Sequence, residues 1–536
     1  MQSSCRAFRK RYLEEQRLSI KPFKRIYWIV LDGMGIEHAR LFLASGRFPA
    51  LSRIAREGVL DAARPSSPAC QTPTALLTLF SGAEPRESGI WGYSMPDPRR
   101  PLRSISGFAA PAKPVRAVWD ELEELGAGFS LMNVAFRNDR IWARESTELD
   151  FAYDGYRSVT GSRVFSVGRR ASRVRLQGIE LSLERTRGGV VIRKGSRVRA
   201  EVLPGDGQTI ILTAHLRAYA ILLDTSHVVL APLARPMVRG SFRPPAAEEE
   251  FIDFNVFRAV RRLNRGRDER SQIPVSVDMV PAELGMRQKE SLMIEAIRGT
   301  SSRLVIGYFP LVDEINHSCF DLLDVPQPDP RTLELYLSSA RLVDNTVARV
   351  MNEADRDALV VLSSDHGVSA FRSSLHVNEI FADCGLVTRK ARGYDHRRSS
   401  AYYHPSECGI VLARADAGSE TVLAGIRRVL DRARDQHGVQ IGMDEGRPGD
   451  PFIAFIYPLS DTYLTARPPE RGGEILVKSR SGGQHLSPLA PTPWIQAMVG
   501  LWTPRTESLR NELDGIPTAN GMLKGFLMRM LEGAPQ

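Results

Sequence analysis

The chain has 536 residues, 43% hydrophobic and 25% charged, with a formal net charge of +10 carried almost wholly by arginine. This ordinary globular composition argues against disorder for the bulk of the chain, and the length implies two domains or one large α/β core with an insertion. No stretch approaches the ~18 consecutive apolar residues of a membrane span, and the densest basic segment, 254–271, also carries acids, so dedicated nucleic-acid binding is not expected.

The five cysteines, Cys5, Cys70, Cys319, Cys384 and Cys408, are scattered and form no CxxC. An odd, dispersed set argues against a disulfide framework and against a zinc knuckle, and fits a reducing compartment. The first 25 residues are charged and lack the apolar segment of a secretory signal. A cytoplasmic location is therefore expected.

Residues 1–24 read as a polar extension, and Arg25–Leu31 (RIYWIVL) follows as a buried parallel strand. It ends in Asp32-Gly33-Met34-Gly35, with helical patterns at 36–46 and 49–58. A loop rich in Pro and Ser at 64–70 leads to Thr72-Pro73 and a helix, TALLTLFSG, and a strand is expected at 128–135. Short alternating runs punctuated by Gly and Pro fill 140–240, the pattern of antiparallel strands, and a polar stretch covers 241–285. Core patterns then resume with a helix at 284–299, a strand at 303–309, a long helix at 331–354 and a strand at 358–363. Strands at 409–414 and 452–457 and a helix at 518–533 complete the chain. The expected organisation is an extension (1–24), a first core part (25–139), a β-rich insertion or cap (140–285) and a second core part (286–536). Strands alternating with helices imply a largely parallel sheet covered on both faces, with ligands at the carboxyl ends of its strands.

That rule sorts the carboxylates. Asp32 directly follows the first strand, Asp313 comes four residues after the strand at 303–309, and Asp365 follows the strand at 358–363 with His366 beside it. Three carboxylates at one sheet edge repel one another, and a bound cation removes that cost. His317 lies four residues after Asp313, on the same face of a helical turn. His485 sits in SGGQHLSP, where glycines permit close approach. Oxygen and imidazole ligands together suit zinc, manganese or iron better than calcium. Each residue taken alone has a plainer role: a strand-end Asp is most often a turn former or cap, and His485 a surface residue. Thr72 reads as an N-cap with Pro73 at the first helical position. A hydroxyl there also faces the anion-attracting end of a helix and could serve as a nucleophile.

The segments VLDGMG (30–35), CQTPTALLTLFSGAEPRESGI (70–90), YFPLVDEINH (308–317), SSDHG (363–367) and GGQH (482–485) resemble the nucleotide pyrophosphatase/phosphodiesterase branch of the alkaline phosphatase superfamily. The resemblance covers most of the chain outside the insertion. It implies a three-layer α/β sandwich of alkaline phosphatase type and two divalent metal ions, usually zinc, with manganese an alternative. Asp313, His317 and His485 would bind one metal. Asp32, Asp365, His366 and the Thr72 hydroxyl would bind the other, with Thr72 as covalent nucleophile. Two positions depart from the pattern. Thr74 stands where many members carry an Asn that holds a phosphoryl oxygen, and Ser88 stands where a His is familiar. By position, Thr74, Trp91, Tyr93, Asn133 and, more loosely, Arg137 are candidates for substrate contact. His376 and Asn378 are expected to be structural.

The implied activity is hydrolysis of phosphodiester or pyrophosphate bonds in a small or nucleotide-like substrate. A phosphonate (C–P) hydrolase would use the same residues, and a catalytically inactive binding module could keep the same scaffold. A sulfatase would need a modifiable Cys in C-x-P-x-R, whereas Cys70 is followed by Gln-Thr-Pro-Thr. A phosphomutase fits the neighbouring motifs less well. A homodimer is compatible with the sequence.

Overall fold

The computed structural model describes residues 22–97, 99–110, 115–134, 146–154, 163–168, 170–203, 207–214, 216–224, 226–233, 237–248, 275–323, 328–470, 473–478, 483–484, 487–490, 492–505, 509 and 515–532. Alternate side chains of the strand Arg25–Leu31 enter two different cores. Tyr27, Ile29 and Leu31 enter one, and Ile26, Trp28 and Val30 the other. Both faces are covered, which is why the segment reads as an unbroken apolar run.

This strand lies inside an eight-stranded sheet. The order is Met237–Arg239, Leu149–Asp154, Phe129–Met132, Leu304–Phe309, Arg25–Leu31, Ala358–Ser363, Ala497–Trp502 and Val59–Ala63. The five strands from Leu149–Asp154 to Ala358–Ser363 are mutually parallel. Met237–Arg239 and Ala497–Trp502 run antiparallel to their neighbours. On one face lie the helices Ile36–Ala44, Pro49–Glu57, Val275–Gly299, Leu311–Leu323 and Pro330–Glu353. On the other lie Thr72–Ser81, Val118–Glu124 and Asn520–Glu532. The result is the expected helix–sheet–helix sandwich.

The β-rich stretch expected over 140–285 lends the strands Leu149–Asp154 and Met237–Arg239 to the central sheet. Between them lie two four-stranded antiparallel sheets. One joins Ser172–Leu176, Ile179–Arg185, Val190–Lys194 and Arg197–Val202; the other joins Arg163–Ser166, Gly207–Thr213, Leu216–Asp224 and His227–Pro232. Their inner faces share a separate core that includes Leu183, Ile192, Ala220 and Leu230. Along Leu216–Asp224 the period of two divides the strand, with Ala218, Ala220 and Leu222 facing that core. Ile221 and Leu223 face the opposite way, toward Leu284 of the helix Val275–Gly299.

That helix begins nine residues earlier than the sequence pattern indicates. Pro281 and Gly285 mask its helical period in the sequence, but Met279, Ala282 and Met286 bury against the central sheet and hold the early turns. A further core gathers around the sheet Ala401–Tyr403, Ile410–Ala413, Ala454–Pro458 and Ile441–Glu445, with the helices Val377–Asp383 and Ser419–His437. Among the described residues, no helix is long and apolar enough to cross a membrane.

Candidate active site

Parallel neighbours deliver the carboxylates to one edge. Leu31 pairs with Phe309, and Val30 with Ser363. The residues just beyond these strands, Asp32, the helix carrying Asp313, and Asp365, therefore emerge side by side. Oxygens of Asp32 and Asp313 and a ring nitrogen of His366 lie within 4.8 Å of one another. All three residues are buried, as is Asp365. His317 Nε2 stands 3.3 Å from Asp313 Oδ2, the i and i+4 pairing expected on the helix Leu311–Leu323. His485 and Arg137 lie outside the described residues.

His366 sits at the centre. Its Nδ1 is 3.1 Å from the Gly367 carbonyl oxygen, which can only accept, so that contact assigns the proton to Nδ1. Nε2 then presents a lone pair to Asp32 Oδ1 at 3.4 Å, Asp365 Oδ2 at 3.2 Å and Thr72 Oγ1 at 3.2 Å. Neither Asp32 Oδ1 nor Asp365 Oδ2 receives a hydrogen bond. Lone pairs converging in a buried space are unfavourable unless a cation stands among them. The donor set thus fits a divalent metal ion. Burial first, then the charges of Asp365 and Asp313, push the Asp32 carboxyl well above its ordinary range. Burial and Asp313 likewise raise Asp365, against the lowering effect of the Gly33 N–H.

The supports of these ligands come from several elements. The Tyr308 hydroxyl donates to Asp32 Oδ2. The Asp365 Oδ1 atom accepts the N–H groups of Gly33 at 3.2 Å and His366 at 3.0 Å. Asn316 Nδ2 donates to the Gly33 carbonyl at 2.9 Å. Gly33 has φ +69°, and a Cβ there would lie 2.8 Å from Asp313 Cα, so glycine admits the close approach of this turn to the helix Leu311–Leu323. Asn520, more than 150 residues away in sequence, donates to the carbonyls of Ser364 at 3.1 Å and Asp365 at 2.7 Å. Tyr308 and Asn316 stand inside a motif the sequence singles out, whereas Asn520 carries no local signal. Replacing Asn520 by alanine leaves two buried carbonyls without their donor. A loss of about 1–3 kcal/mol is expected, measured by denaturant melting.

Thr72 corrects a sequence expectation. Gln71, in extended conformation, is the N-cap of the helix Thr72–Ser81, and Thr72 is its first residue. Pro73 therefore moves to the second position, which also lacks an intrahelical N–H partner. No side chain caps this helix end, and the Thr72 hydroxyl instead faces His366. The N–H groups of Thr74 and Ala75 turn back to the Gln71 carbonyl, so this helix end offers its dipole more than free donors.

The other candidates are dispersed. Thr74 is fully buried and its hydroxyl has no hydrogen-bond partner. Asn133 takes a left-handed conformation, φ +58°, at the end of the strand Phe129–Met132, and its Nδ2 is 3.4 Å from the carbonyl oxygen of Tyr308. Trp91 is buried, with its ring edge-on to Phe452 at 4.7 Å. Tyr93 is 54% exposed and meets Phe108 edge-to-face at 5.6 Å. Ser88 bonds within its own turn. His376 and Asn378 hold backbone carbonyls, at Arg467 and at Tyr403 and Ala466.

The sequence matches the type I phosphodiesterase / nucleotide pyrophosphatase family over residues 27–163 and 243–452. The chain belongs to this family. It is accordingly a hydrolase of the alkaline phosphatase superfamily, acting on phosphate esters. The unmatched residues 164–242 hold nearly all of the two four-stranded sheets. Among solved structures, phosphonoacetate hydrolase from Sinorhizobium meliloti 1021 is similar in two complexes. With phosphonoformate the TM-score is 0.50 at 10% identity, covering 95% of this chain and 96% of that one. With phosphonoacetate it is 0.51 at 11% identity, with the same coverage. Murine ectonucleotide pyrophosphatase / phosphodiesterase 5, inactive and in complex with AMP, gives 0.47 at 11% identity, covering 96% of each chain. No curated protein matches the sequence. The likeness to the bacterial enzyme is one of fold, an alkaline phosphatase-like sandwich.

Proposed function

We propose that this family member cleaves phosphodiester or pyrophosphate bonds of a small or nucleotide-like substrate through a phosphothreonine at Thr72. The observation that carries it is the Thr72 hydroxyl, unused as a cap and 3.2 Å from His366 Nε2, beside carboxylates from three strand ends. Asp32, Thr72, Asp365 and His366 would hold one divalent ion, and Asp313, His317 and His485 a second, zinc or manganese. Bound there, such ions supply Lewis-acid charge to phosphoryl oxygens and lower the pKa of a hydroxyl or water.

The chain's own residues account for the rest. Thr72 Oγ1 gives up its proton and forms the bond to phosphorus as the bond to the leaving oxygen breaks, and that oxygen takes up a proton. Burial of the hydroxyl limits competing attack by water until the leaving group departs. Water then cleaves the phosphothreonine and restores the hydroxyl. The Gly367 carbonyl holds the His366 ring in one orientation throughout. Thr74 stands two residues after Thr72 in the first turn of the helix, and its hydroxyl is a candidate donor to a phosphoryl oxygen.

The test is metal content together with a substrate panel of bis(4-nitrophenyl) phosphate, 4-nitrophenyl phosphate and phosphonoacetate. Preference for the diester is expected. Preference for phosphonoacetate would move the assignment to C–P hydrolysis on the same residues. Bound metal without turnover of any phosphorus substrate would indicate a binding module.

A further inference from the structure

The helix Ile36–Ala44 turns His38 inward with Ile36, Ala39 and Phe42, and the imidazole is fully buried. Its ring meets two others. The centroids of Phe320 and Trp494 each lie 5.0 Å from that of His38, and 4.9 Å from one another. The three rings close a triangle whose corners belong to different parts of the site. Phe320 is on the helix Leu311–Leu323, which also carries Asp313 and His317. Trp494 leads a segment whose carbonyls accept the Gly367 N–H, at Ile495 and 2.9 Å, and the Ile36 N–H, at Gln496 and 3.2 Å. His38 therefore sits where the half of the site built on Asp313 and His317 meets the half built on His366.

Packing alone does not account for an imidazole in this box. Among the described residues, neither ring nitrogen of His38 has a hydrogen-bond partner. Burial pushes its pKa down to about 3, against the raising effect of the Asp313 charge. The ring is thus neutral at physiological pH, with one N–H and one lone pair to satisfy. Leaving both unmet among aromatic rings is costly, and a phenylalanine would fill the same space without that cost. Exceptions of this kind gather where function outweighs stability. The carboxylate whose charge reaches the ring is Asp313, and an outer donor to a ligating group sets both its orientation and the affinity of the centre.

We propose that His38 is a positioning residue of the metal centre, its ring N–H held for the Asp313 carboxylate, directly or across one water, so that the helix bearing Asp313 and His317 keeps a fixed place relative to His366. The proposal rests on the two-ion reading given above and adds to it a residue that would touch neither ion nor substrate.

The experiment uses the full chain and three variants. His38→Phe keeps a ring against Phe320 and Trp494 and removes both nitrogens. His38→Gln and His38→Asn return an amide near Nε2 and near Nδ1, respectively. Zinc affinity is measured by competition with a chromophoric chelator, and the geometry of the centre by the visible absorption of the cobalt-substituted chain. In His38→Phe one of the two ions should bind about 10- to 100-fold more weakly, with a changed cobalt spectrum. The kcat for bis(4-nitrophenyl) phosphate should fall with it while KM moves little, and the metal-free variant should melt no lower than the metal-free native chain. Rescue of affinity by Gln or by Asn supports the proposal and assigns the ring atom. If the Phe variant does not fold, His38→Leu takes its place. Two native affinities and an unchanged cobalt spectrum in the apolar variant overturn the proposal and leave the two-ion reading standing. Loss in all variants alike, each with a lowered melting midpoint, also overturns it, because His38 then serves packing alone. A native chain that takes up neither zinc nor cobalt ends the two-ion reading and this proposal with it.

Discussion

Thr72→Ala is expected to lower bis(4-nitrophenyl) phosphate hydrolysis on the order of 10³-fold or more, the scale seen when a covalent nucleophile is removed. The fold should survive. The helix Thr72–Ser81 begins at Gln71 and takes no cap from the threonine side chain. Its buried face, Leu76, Leu77, Leu79 and Phe80, is untouched. Loss of one hydroxyl contact at 3.2 Å costs about 1 kcal/mol, so the melting midpoint should move little. Mass spectrometry of denatured native enzyme, quenched during turnover, should find a phosphorylated peptide containing Thr72. Retention of full turnover by the alanine variant would end the phosphothreonine mechanism, whatever the metal content.

Asp365→Asn should separate metal binding from folding, because the two effects have opposite sign. The asparagine carbonyl can still accept from the Gly33 and His366 N–H groups that now reach Oδ1. Its amide replaces Oδ2, which lacks a donor and lies 3.2 Å from His366 Nε2. Metal affinity should fall by at least about 100-fold, since a charged ligand is lost as well as its orientation, and turnover with it. The metal-free variant should nevertheless melt above the metal-free native chain at neutral pH. Burial and Asp313 raise the folded-state pKa of Asp365. The stability tied to that proton is therefore fully present below the unfolded value of about 3.9 and is lost as pH rises through the folded pKa. The difference between variant and native chain should grow from about pH 4 upward and reverse when zinc or manganese is added, since ligand binding stabilises only the native site. Paired melts at several pH values, with and without metal, measure this. A variant less stable at every pH would show that Asp365 is structural and not a ligand.

Much of the candidate site's arrangement was legible in the sequence. Asp32 and Asp365 directly follow apolar, strand-length runs, and Asp313 follows a third, so a parallel sheet had to bring them to one edge. The i and i+4 spacing of Asp313 and His317 foretold their contact on one helical face. The boundary of the helix Val275–Gly299 was not legible, because Pro281 and Gly285 speak against a helix locally and burial of Met279 and Met286 overrides them. Nor was Thr72's place: the sequence pattern Thr-Pro allows either an N-cap or a first helical residue. The choice depends on where His366 stands.

The residue order by itself determined which strands are buried on both faces, where each turns, and which side chains leave at those turns. Hydrophobic period and strand-end position are properties of a dozen consecutive residues, so they survive reading in one dimension. Tertiary structure alone decided which distant groups complete the site. Asn520 reaches the Asp365 carbonyl from the far end of the chain, and Tyr308 reaches Asp32 across one strand spacing. Glu407 and Gln71, more than 300 residues apart in sequence, line one cleft only because the C-terminal sheet docks there. Such contacts arise from packing between elements hundreds of residues apart, where no local period records them.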